Sequence, residues 1–152
     1  MQSSTVEIAQ VGQPAPKFTL QTFPPGEVKL ADFAGKKNVI LAFYPKDNTP
    51  GCTLEMCGFS ADLSKFESVD TEVLGISCDS VNSHEKFAGK FKLKQKLLSD
   101  PGGNTARAYG VIAEGKSSAS RVLFIIDKGG IVRFIHKGMP NNKKLLEVVS
   151  SL

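Results

Sequence analysis

The chain has 152 residues, within the roughly 100 to 200 of one compact domain, and no break in composition divides it. With 41% hydrophobic residues, ten Phe and 22% charged residues it can bury a core, which excludes the disordered, collagen-like and low-complexity classes. A net charge of +4 is too small to argue for a nucleic-acid partner, no apolar run approaches the ~20 residues of a membrane-spanning helix, and three cysteines are too few for a disulfide framework.

The opening twelve residues, MQSSTVEIAQVG, carry neither a basic n-region nor a continuous apolar h-region, so no secretory signal is expected there. Reduced thiols in the cytoplasm, or in an organelle lumen after removal of a transit segment, are the starting expectation. Ala15 to Leu20 and Glu27 to Leu30 alternate apolar and polar residues around Thr22 to Gly26, which predicts a small N-terminal hairpin or a pair of edge strands, acting as a lid rather than as core. Asn38 to Tyr44 (NVILAFY) is a near-continuous apolar run, the pattern of a central strand covered on both faces, and Pro45 stops it. After Asp47 to Gly51, residues Leu54, Phe59, Leu63 and Phe66 recur at helical spacing, so a helix begins close to Cys52. Val73 to Cys78 predicts a second buried strand, and Ser83 to Phe91 an amphipathic helix with Phe87 and Phe91 on one face. A short helix is expected over Asn104 to Tyr109. Arg121 to Ile126 and Ile131 to His136 predict an antiparallel pair joined by Asp127 to Gly130, and Asn142 to Leu152 a closing amphipathic helix. The order βαβα then ββα predicts one α/β domain over 1–152 with a thioredoxin-like fold, a central mixed sheet between helices.

Cys52 is singled out by its place. A thiol in the first turn of a helix faces unsatisfied backbone N–H groups and the positive end of the helix dipole, which stabilise thiolate over thiol and make a nucleophile. The segment Pro45 to Cys52, PKDNTPGC, resembles the active-site segment of the peroxiredoxins, whose pattern is Pro, three residues, Thr or Ser, two residues, Cys. The longer string FYPKDNTPGCT, followed by Cys57 and Gly58, resembles in particular their bacterioferritin comigratory protein, or Q-type, subfamily. GQPAPKFTL, VLGIS, Ser83-His84 to Phe87, LLSDPGG and Arg121 leading into Ile126-Asp127 agree with it, so the resemblance spans nearly the whole chain.

The resemblance implies a thiol-dependent peroxidase acting on hydrogen peroxide and organic hydroperoxides, with no prosthetic group or other cofactor. It implies that Cys52 attacks the terminal peroxide oxygen and becomes a sulfenic acid. Thr49 would offer its hydroxyl to thiolate and peroxide, and Pro45 would shield the site from water. Arg121 would supply charged donors as the O–O bond breaks, and Glu55 would orient that arginine. Cys57 matches the subfamily's resolving position. Two residues five apart in an ideal helix have Cα atoms about 8.6 Å apart, and a disulfide usually needs less than about 7 Å. The first turns must therefore unwind before Cys57 can reach the sulfenic acid. An external dithiol, by resemblance thioredoxin, would reduce the disulfide. Because both cysteines lie in one helical region, a monomer suffices for turnover.

Many members of the subfamily continue Cys-Gly-Phe-Arg-Asp, whereas this chain has Ser60 and Ala61 after Phe59, so a tethering ion pair is missing and easier unwinding is expected. Cys78 reads as strand-end filler, with an accessory redox thiol as the minority alternative. Gly110 to Ser117 fits the phosphate-loop pattern G-x-x-x-x-G-K-S, but a helix precedes it and a strand follows, the reverse of what phosphate binding requires. Lys86, Lys90, Lys92, Lys94 and Lys96 read as a solvated face rather than a nucleic-acid surface. His84 and His136 read as ordinary surface or sheet histidines, and no metal site is expected. A thioredoxin-like thiol-disulfide exchanger is the alternative, disfavoured because four residues rather than two separate Cys52 from Cys57. A chaperone-like or nucleic-acid-binding module is the remote third.

Overall fold

The computed structural model describes residues 9–152; most of the N-terminal stretch read above for a targeting signal lies outside them. Seven strands form one sheet in the order β2-β1-β5-β4-β3-β6-β7. They are β1 (Thr19–Phe23), β2 (Gly26–Lys29), β3 (Asn38–Phe43), β4 (Thr71–Ser77), β5 (Lys96–Ser99), β6 (Val122–Ile126) and β7 (Val132–Lys137). The helices are α1 (Pro50–Glu67), α2 (Val81–Phe91), α3 (Asn104–Ala108) and α4 (Asn142–Ser150). Among the described residues no helix is long and apolar enough to cross a membrane.

Strand β3 explains the layering. All six of its residues are buried, and successive side chains of a strand point to opposite faces. Val39, Leu41 and Phe43 enter one apolar cluster with Leu74, Ile76, Leu98, Phe124 and Tyr109. Ile40, Ala42 and the following Tyr44 enter the other, with Cys52, Met56, Phe59, Phe87, Leu145 and Val149. Helices α1, α2 and α4 therefore cover one face, while α3 and the N-terminal segment cover the second. The centre of the sheet is parallel, β3 with β4 and β4 with β5, and it is flanked by antiparallel partners. It is the mixed sheet of a thioredoxin-like fold.

Two expectations need correction. The N-terminal hairpin is not a lid: β1 pairs antiparallel with β5 and extends the main sheet, and Phe18, Val28 and Leu30 are core residues. Its strands are also shifted, since Thr22 and Phe23 belong to β1 and Gly26 opens β2, leaving Pro24 and Pro25 as the turn. Strand β5 was missed because four residues, KLLS, are too few to display a period, and lysines surround them. Elsewhere the predicted elements stand within about two residues of their positions, as is usual for element ends.

The candidate active site

The site forms where β3 ends and α1 begins. Pro45 is half-buried just past β3, and Thr49 is the N-cap residue of α1, in extended conformation, with Pro50 opening the helix. Proline suits a helix's first position because its φ is already helical and its missing N–H has no intrahelical partner there. Thr49 makes no side-chain capping bond; its hydroxyl donates to the Lys46 carbonyl at 2.8 Å. No capping side chain of Thr49 therefore occupies the first-turn N–H groups, which point toward the site. Cys52 sits in that turn, only 1% exposed and packed within the apolar cluster.

Arg121 reaches the thiol from the residue preceding β6. Its Nη2 stands 3.4 Å from Cys52 Sγ, while Nη1 donates to Glu55 Oε1 at 2.7 Å. Glu55 is itself buried, one turn further along α1. Burial pushes its carboxyl up to about 7, against the hydrogen bond and charge of Arg121, which pull the other way. On the arginine burial acts to lower the value, yet the bonds and charges of Glu55 and Cys52 prevail and raise it. A β-carbon at Gly51 would lie 2.9 Å from Arg121 Nη2, so the helix approaches the guanidinium closely only because this residue is glycine. The fold thus brings Cys52, Glu55 and Arg121 into contact, with Pro45 and Thr49 on the adjoining loop. The hydroxyl of Thr49 is directed at Lys46 rather than at the sulfur.

Cys57 lies in the same helix, half-buried, and all three cysteines are free thiols. Ser60 is not a vacancy where the subfamily has arginine: it is buried and accepts a hydrogen bond from the Lys94 backbone N–H at 3.0 Å. Asn142 adds bonds to the Gly58 carbonyl and to Asp62 at 3.1 and 3.0 Å. The helix is tethered there by other means. Cys78 is half-buried beyond β4, and burial, aided by the charge of Asp100, raises its thiol, which favours the filler reading over a nucleophile.

The histidine expectation fails at His84. It is fully buried on α2, with Nδ1 2.7 Å from Asp47 Oδ2 and Nε2 2.8 Å from the Leu98 carbonyl. Asp47 also accepts from the Tyr44 hydroxyl at 2.6 Å and the Ser83 hydroxyl at 2.8 Å. Its own N–H donates to Asp79. This cluster ties the loop carrying Pro45 and Thr49 to α2 and β5. A lone histidine and an aspartate 37 positions apart give no local signal in the sequence. His136 does lie near the surface, facing the Met139 carbonyl.

A buried thiol at a helix N-terminus, flanked by a guanidinium, on a thioredoxin-like sheet defines a thiol-based redox protein. The AhpC/TSA family model matches residues 11–135, and the chain belongs to that family, the peroxiredoxins. It is 42% identical over 149 residues to a peroxiredoxin bcp of Coxiella burnetii, covering 94% of this chain and 98% of that one. It is 37% identical to the chloroplastic peroxiredoxin Q of Oryza sativa subsp. japonica, covering 93% of this chain and 67% of that one. Among solved structures, peroxidoxin BcpB of Mycobacterium tuberculosis superposes with a TM-score of 0.87 at 29% identity, over 95% of this chain and 98% of that one. The mitochondrial 2-Cys peroxiredoxin of Plasmodium falciparum gives 0.85 at 32%, over 93% of each. The protein is a thiol-dependent peroxidase.

Proposed function

We propose that the protein reduces hydrogen peroxide and organic hydroperoxides through Cys52 and Cys57 and is recycled by an external dithiol, thioredoxin or a protein like it. The observation that carries the reading is the 3.4 Å approach of Arg121 Nη2 to Cys52 Sγ, with a second thiol five residues on in the same helix. The guanidinium and the helix N-terminus favour negative charge on the sulfur and on the oxygen that leaves. In the first step the Cys52 thiolate attacks the terminal oxygen of ROOH. An S–O bond forms, the O–O bond breaks, and the leaving oxygen takes a proton to become ROH. Arg121 stabilises the charge moving onto that oxygen, and Glu55 fixes the arginine. Thr49 keeps its oxygen lone pairs for the O–H of the incoming peroxide, and Pro45 screens the pocket from water.

In the second step Cys57, as thiolate, attacks the sulfenic sulfur. An S–S bond forms, the S–O bond breaks, and hydroxide leaves as water after protonation. Since an intact helix holds the two Cα atoms about 8.6 Å apart, α1 unwinds ahead of this step. The two electrons then come from the dithiol, which opens the disulfide by exchange. Both thiols belong to one chain, so a monomer completes the cycle.

The test is intact-mass analysis with peptide mapping after one equivalent of hydrogen peroxide is added to reduced protein. Loss of two hydrogens mapped to a Cys52–Cys57 bond, abolished by Cys52→Ser, is the expected result. A protein that stays reduced would overturn the role of Cys52, and a stable sulfenic acid would overturn that of Cys57.

A further inference from the structure

Gln95 lies in the connector between α2 and β5 and is 3% exposed. Its amide Nε2 donates to the Met56 carbonyl at 2.9 Å and faces the Met56 Sδ at 3.6 Å. A carbonyl only accepts, so this contact fixes which end of the amide is nitrogen. The other end, Oε1, has no hydrogen-bond partner, alone among the buried side-chain nitrogens and oxygens of the described residues. An unpaired buried acceptor destabilises the state that contains it, and an aliphatic side chain of the same size would avoid the cost.

The location of this acceptor gives it a use. From Met56 onward, α1 is held from outside by Gln95 at Met56, by Asn142 at Gly58 and Asp62, and by the Lys94 N–H at Ser60. Ahead of Met56, the side-chain bonds from outside the helix are those of Arg121 to Cys52 and Glu55, and the first of these changes when the sulfur is oxidised. The first turns are thus separable from a pinned remainder, with the boundary at Met56 and Cys57. Once those turns unwind, the remainder becomes a helix whose first four N–H groups, on residues 56–59, have lost their carbonyl partners, while the Ser60 N–H keeps the Met56 carbonyl. Met56, then in the capping position, has no side-chain oxygen to offer them.

We propose that Gln95 is a positioning residue for the resolving step, capping this new helix start from outside the helix. Its Oε1 is idle while α1 is intact and accepts one of the N–H groups of residues 56–59 when the turns before Cys57 unwind. Its Nε2 meanwhile holds the Met56 carbonyl as the hinge. The idle acceptor destabilises the intact helix relative to the unwound one, so Gln95 drives the equilibrium toward disulfide formation. The inference rests on the reading of Cys57 as the resolving thiol.

The test is rapid-quench mass spectrometry of wild type and Gln95→Met, following Cys52 sulfenic acid and then the Cys52–Cys57 disulfide. The expected result is a ratio of disulfide formation to sulfenic acid formation about three- to tenfold lower in the variant, the worth of one buried hydrogen bond. Cys52 sulfinic acid then accumulates at lower peroxide. An unchanged or increased ratio would make Gln95 a latch on the folded helix and overturn the proposal. Amide exchange on the oxidised wild type tests it even if the variant fails to fold: one N–H of residues 56–59 stays protected, whereas free exchange at all four overturns it. If the wild type forms no Cys52–Cys57 disulfide, the reading of Cys57 fails and the cap with it. A disulfide formed normally by both proteins removes the cap alone.

Discussion

Arg121 and Cys52, 69 positions apart in the chain, meet with Nη2 3.4 Å from Sγ, and Gly51 is what lets them. A β-carbon at position 51 would come within 2.9 Å of Nη2 and 3.6 Å of Cζ. In Gly51→Ala the guanidinium has to swing away, because it is the flexible partner of that contact. The helix itself gains from the change, since alanine is favoured over glycine in a helix by up to about 1 kcal/mol. The expected outcome is a melting temperature unchanged or slightly raised, with a rate of Cys52 oxidation about 10- to 100-fold lower, part of what removal of a transition-state donor costs. Stopped-flow peroxide kinetics and a thermal melt on the same preparation check it. An undiminished rate would mean that the position of Arg121 does not govern the chemistry.

Glu55 couples the site to pH. Burial raises its carboxyl from 4.5 to about 7, with Arg121 opposing the shift. Above that value a carboxylate grips the guanidinium, and below it a neutral acid grips more weakly. The rate of Cys52 oxidation should therefore rise with pH through about 7, and the difference between the wild-type and Glu55→Gln profiles should isolate this inflection. Stability moves in the opposite direction. Between 4.5 and about 7 the folded protein keeps a proton at Glu55 that the unfolded chain has released. The group's contribution thus falls as pH rises, by up to about 3 kcal/mol across the window. Urea titrations at pH 5 and pH 8 should show that slope in wild type and not in Glu55→Gln; equal slopes would place the titration elsewhere.

The reach of the sequence follows the range of the physics that each residue records. Strand β3 was readable because burial on both faces leaves an unbroken apolar run, and α1 because a Thr-Pro-Gly turn precedes residues at helical spacing. Cys52, Thr49, Pro45 and Glu55 are local to that junction. Arg121 came only through resemblance, since nothing around it marks a residue that crosses to another element. Gln95 and the contact of His84 with Asp47 left no trace, because a polar residue buried by distant chain looks like a surface one. The hairpin was misplaced for the same reason: its partner, β5, is four residues long and lies far along the chain.

The bond between His84 and Asp47 predicts a stability effect remote from the sulfur. His84 fills a site with no exposed surface and bridges Asp47 Oδ2 to the Leu98 carbonyl. In His84→Leu the imidazole contacts to Asp47 and to the Leu98 carbonyl are lost inside the core, although Asp47 keeps Tyr44 and Ser83. Breaking one side of such a pair while two donors remain should cost about 2 to 4 kcal/mol. Chemical denaturation measures it, and a loss below about 0.5 kcal/mol, the range of an ordinary surface substitution, would show that the cluster does not hold the loop.

Gly75 offers a separate test of the hinge. It lies in the middle of β4 beneath α1, and a β-carbon there would meet Met56 Sδ and Leu97 Cδ2 at 2.9 Å and Tyr44 Cε1 at 3.4 Å. All three neighbours are fully buried, so none can retreat into solvent. Gly75→Ala therefore overpacks the sheet-helix interface at the residue where α1 is hinged, at a cost of about 1 to 3 kcal/mol. Because Met56 stays seated as the hinge while the turns before it unwind, the strain is shared by the intact and the unwound helix, so the substitution should lower the denaturation midpoint while leaving the rate of disulfide formation after Cys52 is oxidised unchanged. Equilibrium unfolding of the reduced protein and rapid-quench mass spectrometry give the two quantities. A destabilised variant that forms the disulfide faster would mean that Met56 moves during the resolving step and is not the hinge.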